Sequence, residues 1–202
     1  MSQQQYATHI TETLTTPVED AGDVLVVGSG SAGFAAAMAA ARAGASVTLI
    51  EVAAYLGGNL VSGLPVIGCH DGKRQVVGGI FQELVDNLFE MGGAEGNPGE
   101  TTVQNVDPEK MKIAVARMLT GAKVQIHLHT FLVGVIKDGN RVTHAIVESK
   151  GKRRALKART FIDASGDGDL AAMAGAPYEI GRKEDGRTQA CTLMFAVGGI
   201  DI

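Results

Sequence analysis

With 202 residues, the chain is long enough for one complete domain and part of a second. Its net charge of −4 argues against nucleic acid or an anionic membrane surface as a partner, and 45% hydrophobic with 20% charged residues is ordinary for a soluble globular protein. Its 27 glycines, about twice the usual share and without a collagen-like period, suit a fold of tight turns and close backbone–ligand approaches.

Residues 1–22 are polar, follow no helical or alternating period, and read as an arm or loose extension. They lack the charged-then-apolar layout of a signal peptide, and no apolar run reaches the length of a membrane span, so the cytoplasm is the expected compartment. Val24-Leu25-Val26-Val27 is a β-branched apolar run ended by Gly28, which reads as a strand buried on both faces. From Ser31 to Ala43 the residues are almost all small and apolar, and Gly44 stops them; this predicts a helix lying close against a sheet. Val47-Thr48-Leu49-Ile50 is a second buried strand, ending at Glu51. Together the three make a right-handed βαβ unit.

The middle is looser. Residues 55–79 read as a glycine-rich loop that contains Pro65. Ile80 to Met91 is a helix with Ile80, Leu84 and Leu88 on one stripe, Phe81 and Val85 beside it, and Gly92 closing it. Residues 93–99 form another loop. Asp107-Pro108 predicts an N-cap with proline at the first helical position, followed by Met111, Val115, Met118 and Leu119 on the buried face and an end at Gly121. Three strand-like runs follow at 123–136, 141–148 and 153–162. Asp138-Gly139-Asn140 and Lys150-Gly151 turn them into an antiparallel meander, and the basic stretch from Lys150 to Arg159 reads as part of a solvated hairpin. The fold class is therefore α/β: a Rossmann-like dinucleotide-binding domain with a central parallel sheet, flanking helices and a three-stranded antiparallel meander on one face.

The chemistry lies in Gly28-Ser29-Gly30-Ser31-Ala32-Gly33, a GxGxxG turn that follows a buried strand and opens a helix. Gly28 allows the tight turn, Gly30 admits a pyrophosphate to the backbone, and Gly33 lets helix and strand pack closely. The helix N-terminus offers free N–H groups and a partial positive charge to phosphates. Glu51, about twenty residues on, is placed to accept from ribose hydroxyls and to repel a 2′-phosphate. The motif does not choose between FAD and NAD, because both carry the ADP moiety.

The segments DVLVVGSGSAGFAAAMAAARAGASVTLIE, LGGNLVSG, VGGIFQELVDNLFEMGG and FIDASGDGDLAAMAGAPYEIGR, from Asp23 to Arg182, resemble the FAD-dependent oxidoreductase family. This family belongs with the glutathione-reductase-like flavoproteins, which include the fumarate reductase and succinate dehydrogenase flavosubunits. The resemblance implies FAD as cofactor and hydride transfer between a small organic substrate and the flavin, with electrons passed on to another acceptor. It implies that Gly57, Gly58 and Asn59 pass the pyrophosphate towards the isoalloxazine and that Leu132 borders the adenine through its backbone. Ala164, Ser165 and Gly166 match the family's Ala-Thr-Gly turn near the ADP ribose, with serine keeping the hydroxyl. Asp167-Gly168-Asp169 and Arg182 also match, without an assigned role. Relatives are longer, so 188–202 is expected to open a substrate domain completed by further sequence, a partner chain or a second copy. That gives boundaries of 1–22 for the arm and 23–187 for the FAD-binding domain, and it leaves the catalytic acid or base unknown.

Other features carry less. Cys69 and Cys191 form no zinc or disulfide spacing, and no CxxxxC pair follows Leu56-Gly57-Gly58, where disulfide reductases of the superfamily place their redox cysteines. Cys69-His70 is adjacent to a loop that could line the flavin, but adjacency does not make a nucleophile. His127 and His129, two apart on an expected strand, read as solvent-facing on one side rather than as a metal pair. Two rivals stay open: a thiazole-synthase-like protein acting on NAD without flavin, and a non-catalytic dinucleotide-binding subunit.

Overall fold

The computed structural model describes residues 9, 11–67, 76–96, 102–103, 105–195 and 197. In chain order the elements are β1 (Val18–Asp20), β2 (Val24–Val27), α1 (Ser31–Arg42), β3 (Val47–Ile50), a 3-10 helix (Gly58–Val61), β4 (Val66–Ile67), α2 (Ile80–Glu90), β5 (Ala94–Glu95) and β6 (Thr102–Val103). They continue with β7 (Asn105–Val106), α3 (Pro108–Gly121), β8 (Gln125–His127), β9 (Phe131–Asp138), β10 (Arg141–Ser149), β11 (Lys152–Lys157), β12 (Thr160–Asp163) and α4 (Asp169–Met173).

The strand period of two builds three layers from β2 and β3. Both strands are buried along their whole length, and alternate residues point to opposite faces. Val24, Val26, Val47 and Leu49 pack on one side with Phe34 and Met38 of α1, Leu84 and Leu88 of α2, and Met111, Val115 and Leu119 of α3. Leu25, Val27 and Ile50 pack on the other side against Ala145 and Val147 of β10, Leu156 of β11 and Leu170 of α4. Leu25, Leu49 and Ile50 are at most 1% exposed, and each such aliphatic side chain contributes roughly 1.5–3 kcal/mol of burial.

The central sheet is parallel, in the order β12-β2-β3-β8. From β2 the chain moves outward to β3 and β8 on one side, and later returns to β12 on the other. The carboxyl end of the β2–β12 pair is thus a topological switch point, the place where open α/β sheets bind ligands. The second sheet has the order β1-β11-β10-β9. Its β9-β10-β11 part is the expected meander, turned at Gly139-Asn140 and Lys150-Gly151.

Besides the 3-10 helix and β4 within the expected loop 55–79 and β5 within the expected loop 93–99, three larger features differ from the sequence reading. Val18–Asp20, placed in the loose arm, forms a strand parallel to β11, held further by Ala155 N–H to Pro17 O and Ala21 N–H to Lys157 O, both 2.8 Å. The run 123–136 is two strands, because His129 takes φ 50° and breaks it; β8 joins the parallel sheet and β9 the meander. The run 153–162 also divides, at Ala158-Arg159. There the N–H groups of Arg159 and Thr160 turn to Asp23 O, at 3.2 and 2.9 Å. Both breaks are sheet-to-sheet crossings made without glycine or proline, so the local sequence carries no punctuation for them.

Three arginines of the basic stretch from Lys150 to Arg159 form ion pairs: Arg153 with Glu148, Arg154 with Glu19 at 3.2 Å, and Arg159 with Asp23 at 3.3 Å. At the start of α3, Asp107 accepts from the N–H groups of Glu109 at 2.9 Å and Lys110 at 3.2 Å, the cap that its sequence predicts. Among the described residues no helix is long and apolar enough to cross a membrane.

Candidate functional site

The three glycines of the β2–α1 turn are required for different reasons. Gly28 has φ 94°, and a Cβ there would lie 2.3 Å from Ala164 O, because the ends of β2 and β12 touch at this point. Gly33 lies in α1, where a Cβ would fall 1.9 Å from Gly28 O and 3.2 Å from the Ala164 Cβ. Both therefore answer to the protein's own packing. Gly30 does not. Its φ of −59° suits any residue, and a Cβ there would meet no atom within 4 Å. What remains to explain a glycine is the approach of a ligand over the turn.

The turn also leaves a charge to be met. Gly30 caps α1 without a side chain, and the first turn holds no acidic residue. The first N–H groups of a helix have no intrahelical partner, and in this 12-residue helix they face the cleft with the positive end of the dipole. Such an end favours an anion.

Glu51 follows β3 and sits beneath the turn, 8% exposed. Its Oε2 accepts from the Ser29 N–H at 2.8 Å and the Ser29 hydroxyl at 2.5 Å, and its Oε1 accepts from the Ala53 N–H at 2.8 Å. Ser29, fully buried, also receives the Gly57 N–H, at 3.2 Å to its carbonyl and 3.2 Å to its hydroxyl. That bond draws the second glycine turn onto the first. Gly58 comes so near that a Cβ would lie 2.9 Å from the Gly30 Cα. Gly57, at φ 113°, occupies a backbone region that a side chain would strain.

The far wall is made by the crossings that the sequence did not mark. Thr130, 2% exposed, donates its N–H to Glu51 O at 2.9 Å, and leads into Phe131 and Leu132 of β9. Opposite, Asp163 ends β12 and organises the Ala164-Ser165-Gly166 turn. Its Oδ1 accepts from the Ser165 N–H at 3.1 Å and hydroxyl at 2.7 Å, and its Oδ2 from the Ala171 N–H at 2.8 Å. Burial alone would raise the Asp163 pKa, but the N–H groups of Ala171, Ser165 and Leu170 and the Ser165 hydroxyl outweigh it and hold the carboxyl below its usual value. Between these walls lies a cleft of about 830 Å³ at the switch point, a volume within the range of cofactor sites, roughly 300–1,000 Å³.

Residues 23–202 match the family model described as FAD dependent oxidoreductase. The chain belongs to that family. Over 64 residues, 30% of its length, this chain is 42% identical to the probable fumarate reductase Ifc3 of Shewanella frigidimarina; the match spans only 10% of that relative. Among solved structures it is similar to THI4 of Thermovibrio ammonificans, with TM-score 0.56, 17% identity, and 81% of this chain and 67% of that one covered. It is also similar to the open conformation of a flavocytochrome c3 fumarate reductase, with TM-score 0.52, 19% identity, and 73% and 34% covered. At those identities the structures speak for the fold alone, a Rossmann-like α/β architecture. The family gives FAD as the cofactor. The shape of the cleft fits it: an open glycine over an uncapped helix end, with a carboxylate alongside.

The fold brings most of the sequence-derived candidates together. Gly28, Ser29, Gly30, Ser31, Ala32, Glu51, Gly58, Asn59, Leu132, Ala164, Ser165 and Gly166 line the one cleft, while Gly33 and Gly57 sit behind it as packing and turn residues. Sequence reasoning passed over Asp163, Thr130 and Phe131, which also line it. Asp163 had a signal, an acid closing a strand before Ala-Ser-Gly; Thr130 and Phe131 had none, since their role depends on the break at His129.

The histidine expectation needs correcting. His129 lies outside the strand, so it and His127 do not share a face by strand alternation. His127 is half-buried, and burial together with the Arg154 charge lowers its pKa, against a smaller opposing effect of Glu19. No group of three His, Cys, Asp or Glu able to hold a metal is present among the described residues. Cys69 and His70 lie outside the described residues.

Proposed function

We propose that the chain holds FAD in this cleft and uses it to move a hydride between a small organic substrate and the flavin. The observation that carries the reading is Gly30, a glycine that neither its conformation nor its packing demands, set over an uncapped helix N-terminus. When bound, FAD supplies the hydride chemistry, and the protein supplies binding, orientation and exclusion of water. The N–H groups of Ser31 and Ala32 at the start of α1 would hold the pyrophosphate. Glu51 would accept from the ribose through the lone pair left on Oε1. Gly58 and Asn59 would lie along the path to the ring, Leu132 would border the adenine with its backbone, and Ala164-Ser165-Gly166 would close over the ribose from β12.

The substrate side belongs to another part of the assembly. The chain spans about a tenth of the curated relative it matches, and in the described part of residues 188–202 Leu193 and Phe195 are 84% and 76% exposed. These side chains favour a substrate domain begun here and completed by further sequence or a partner chain, which would also bring the acid or base.

Calorimetric titration of the cofactor-free chain with FAD and with NAD tests the reading. FAD is expected to bind, and Gly30→Val to weaken it at least tenfold, since a branched side chain would stand over the phosphate-binding N–H groups. Uptake of NAD with no affinity for FAD would replace this reading with the flavin-free one.

A further inference from the structure

We propose that Ser29 is a positioning residue: its hydroxyl orients Glu51 for the ribose and ties the two glycine turns together, without itself touching the cofactor. This rests on the reading above that Glu51 receives the ribose.

A serine hydroxyl has one proton to donate and lone pairs to accept with. The Ser29 proton goes to Glu51 Oε2 at 2.5 Å, and a lone pair receives the Gly57 N–H at 3.2 Å. The backbone repeats the pattern, its N–H donating to the same Oε2 at 2.8 Å and its carbonyl accepting from the same Gly57 N–H at 3.2 Å. With the residue 0% exposed, the side chain has no donor left and no surface from which to reach a ligand. Position 29 therefore lines the cleft within the phosphate turn, with its buried side chain committed to Glu51 and Gly57 rather than to the phosphate.

The consequence falls on Glu51. A carboxylate oxygen has about two acceptor sites. Both on Oε2 are filled by Ser29, and one on Oε1 is filled by the Ala53 N–H at 2.8 Å. One site remains, on Oε1, with the carboxylate fixed by three donors so that this site has a set direction. Glu51 is thereby prepared to take a single ribose hydroxyl. Charge-assisted O–H···O bonds of this length are the strong kind, so removing the Ser29 hydroxyl frees the carboxylate to turn while the Ser29 N–H and Ala53 N–H remain.

The test uses the full chain and two probes, ADP and 2′,3′-dideoxy-ADP, titrated into wild type, Ser29→Ala and Glu51→Gln. Wild type should prefer ADP by about tenfold, the worth of one hydrogen bond to a charged group, and Ser29→Ala should cut that preference to about two- to threefold. Affinity for the dideoxy probe should stay nearly constant in Ser29→Ala. A merely structural role would weaken both probes in parallel and leave the ratio alone. If Ser29→Ala fails to fold, Ser29→Gly carries the same expectation. An undiminished ratio in the folded variant overturns the role of Ser29 alone. Equal binding of the two probes by wild type overturns the ribose reading and this proposal with it.

Discussion

Gly28, Gly30 and Gly33 look alike as letters, yet they predict opposite outcomes on substitution. A Cβ at Gly33 would fall 1.9 Å from a backbone oxygen that cannot withdraw. Gly33→Ala should therefore destabilise the chain by about 2 kcal/mol or more through overpacking at the helix–strand contact, seen as a lower denaturant midpoint with no ligand present. Gly30→Ala meets no atom within 4 Å; it should change stability by less than ~1 kcal/mol and show its effect in FAD binding instead. Equal loss of stability in both variants would contradict the assignment of Gly30 to the ligand. The GxGxxG letters gave the place of this turn, because strand, turn and helix are local. They could not show that a Cβ would clash at Gly28 and Gly33 but meet no atom at Gly30, nor that Ser29 turns inward to Glu51, since those depend on β12 and the Gly57 turn arriving from elsewhere in the chain.

Among the elements, α1, α2, α3 and the buried β2 and β3 were legible because periodicity and caps state them locally: Asp107 before Pro108, and apolar runs ended by Gly28 and Glu51. The two long runs that each serve both sheets were not, because the chain bends at His129 and Arg159 without any turn-forming residue, where backbone N–H groups donate to the carbonyls of Ala53, Glu51 and Asp23. Asp163 works at this scale, joining β12 to the first turn of α4. Its pKa is depressed in the folded chain. A depressed carboxylate stabilises the fold above its ordinary pKa, near pH ~4, and loses that contribution as pH falls through the lower folded value. Asp163→Asn should cost about 1–2 kcal/mol at neutral pH, a fall of several degrees in Tm. It should also flatten the decline of stability below pH ~4 relative to wild type. An acid-limb profile that matches wild type would refute this role for the carboxylate.

Taken whole, the molecule is a helix layer, a parallel sheet and a mixed sheet, and the cleft opens at the carboxyl ends of the paired strands β2 and β12, where the order of strands across the sheet reverses. The amino-terminal segment belongs to this frame. Ala21 is 4% exposed, and its carbonyl accepts from the Thr48 hydroxyl at 2.8 Å. Deleting residues 1–22 should therefore lower the unfolding midpoint by several degrees, whereas a detached arm would leave it unchanged in the same melt. The sequence could not announce this strand, since its three residues (Val18–Asp20) are exposed and its partner, β11, lies more than a hundred residues away. The account as a whole stands on one cofactor in one cleft. Its most direct test is an absorbance spectrum of the purified chain, followed by chromatography of whatever denaturation releases. Flavin bands from a cofactor that elutes as FAD, or the same bands retained after adding FAD and removing the excess, are the expected result. A colourless chain that keeps no added FAD would contradict the claim that this cleft holds the flavin.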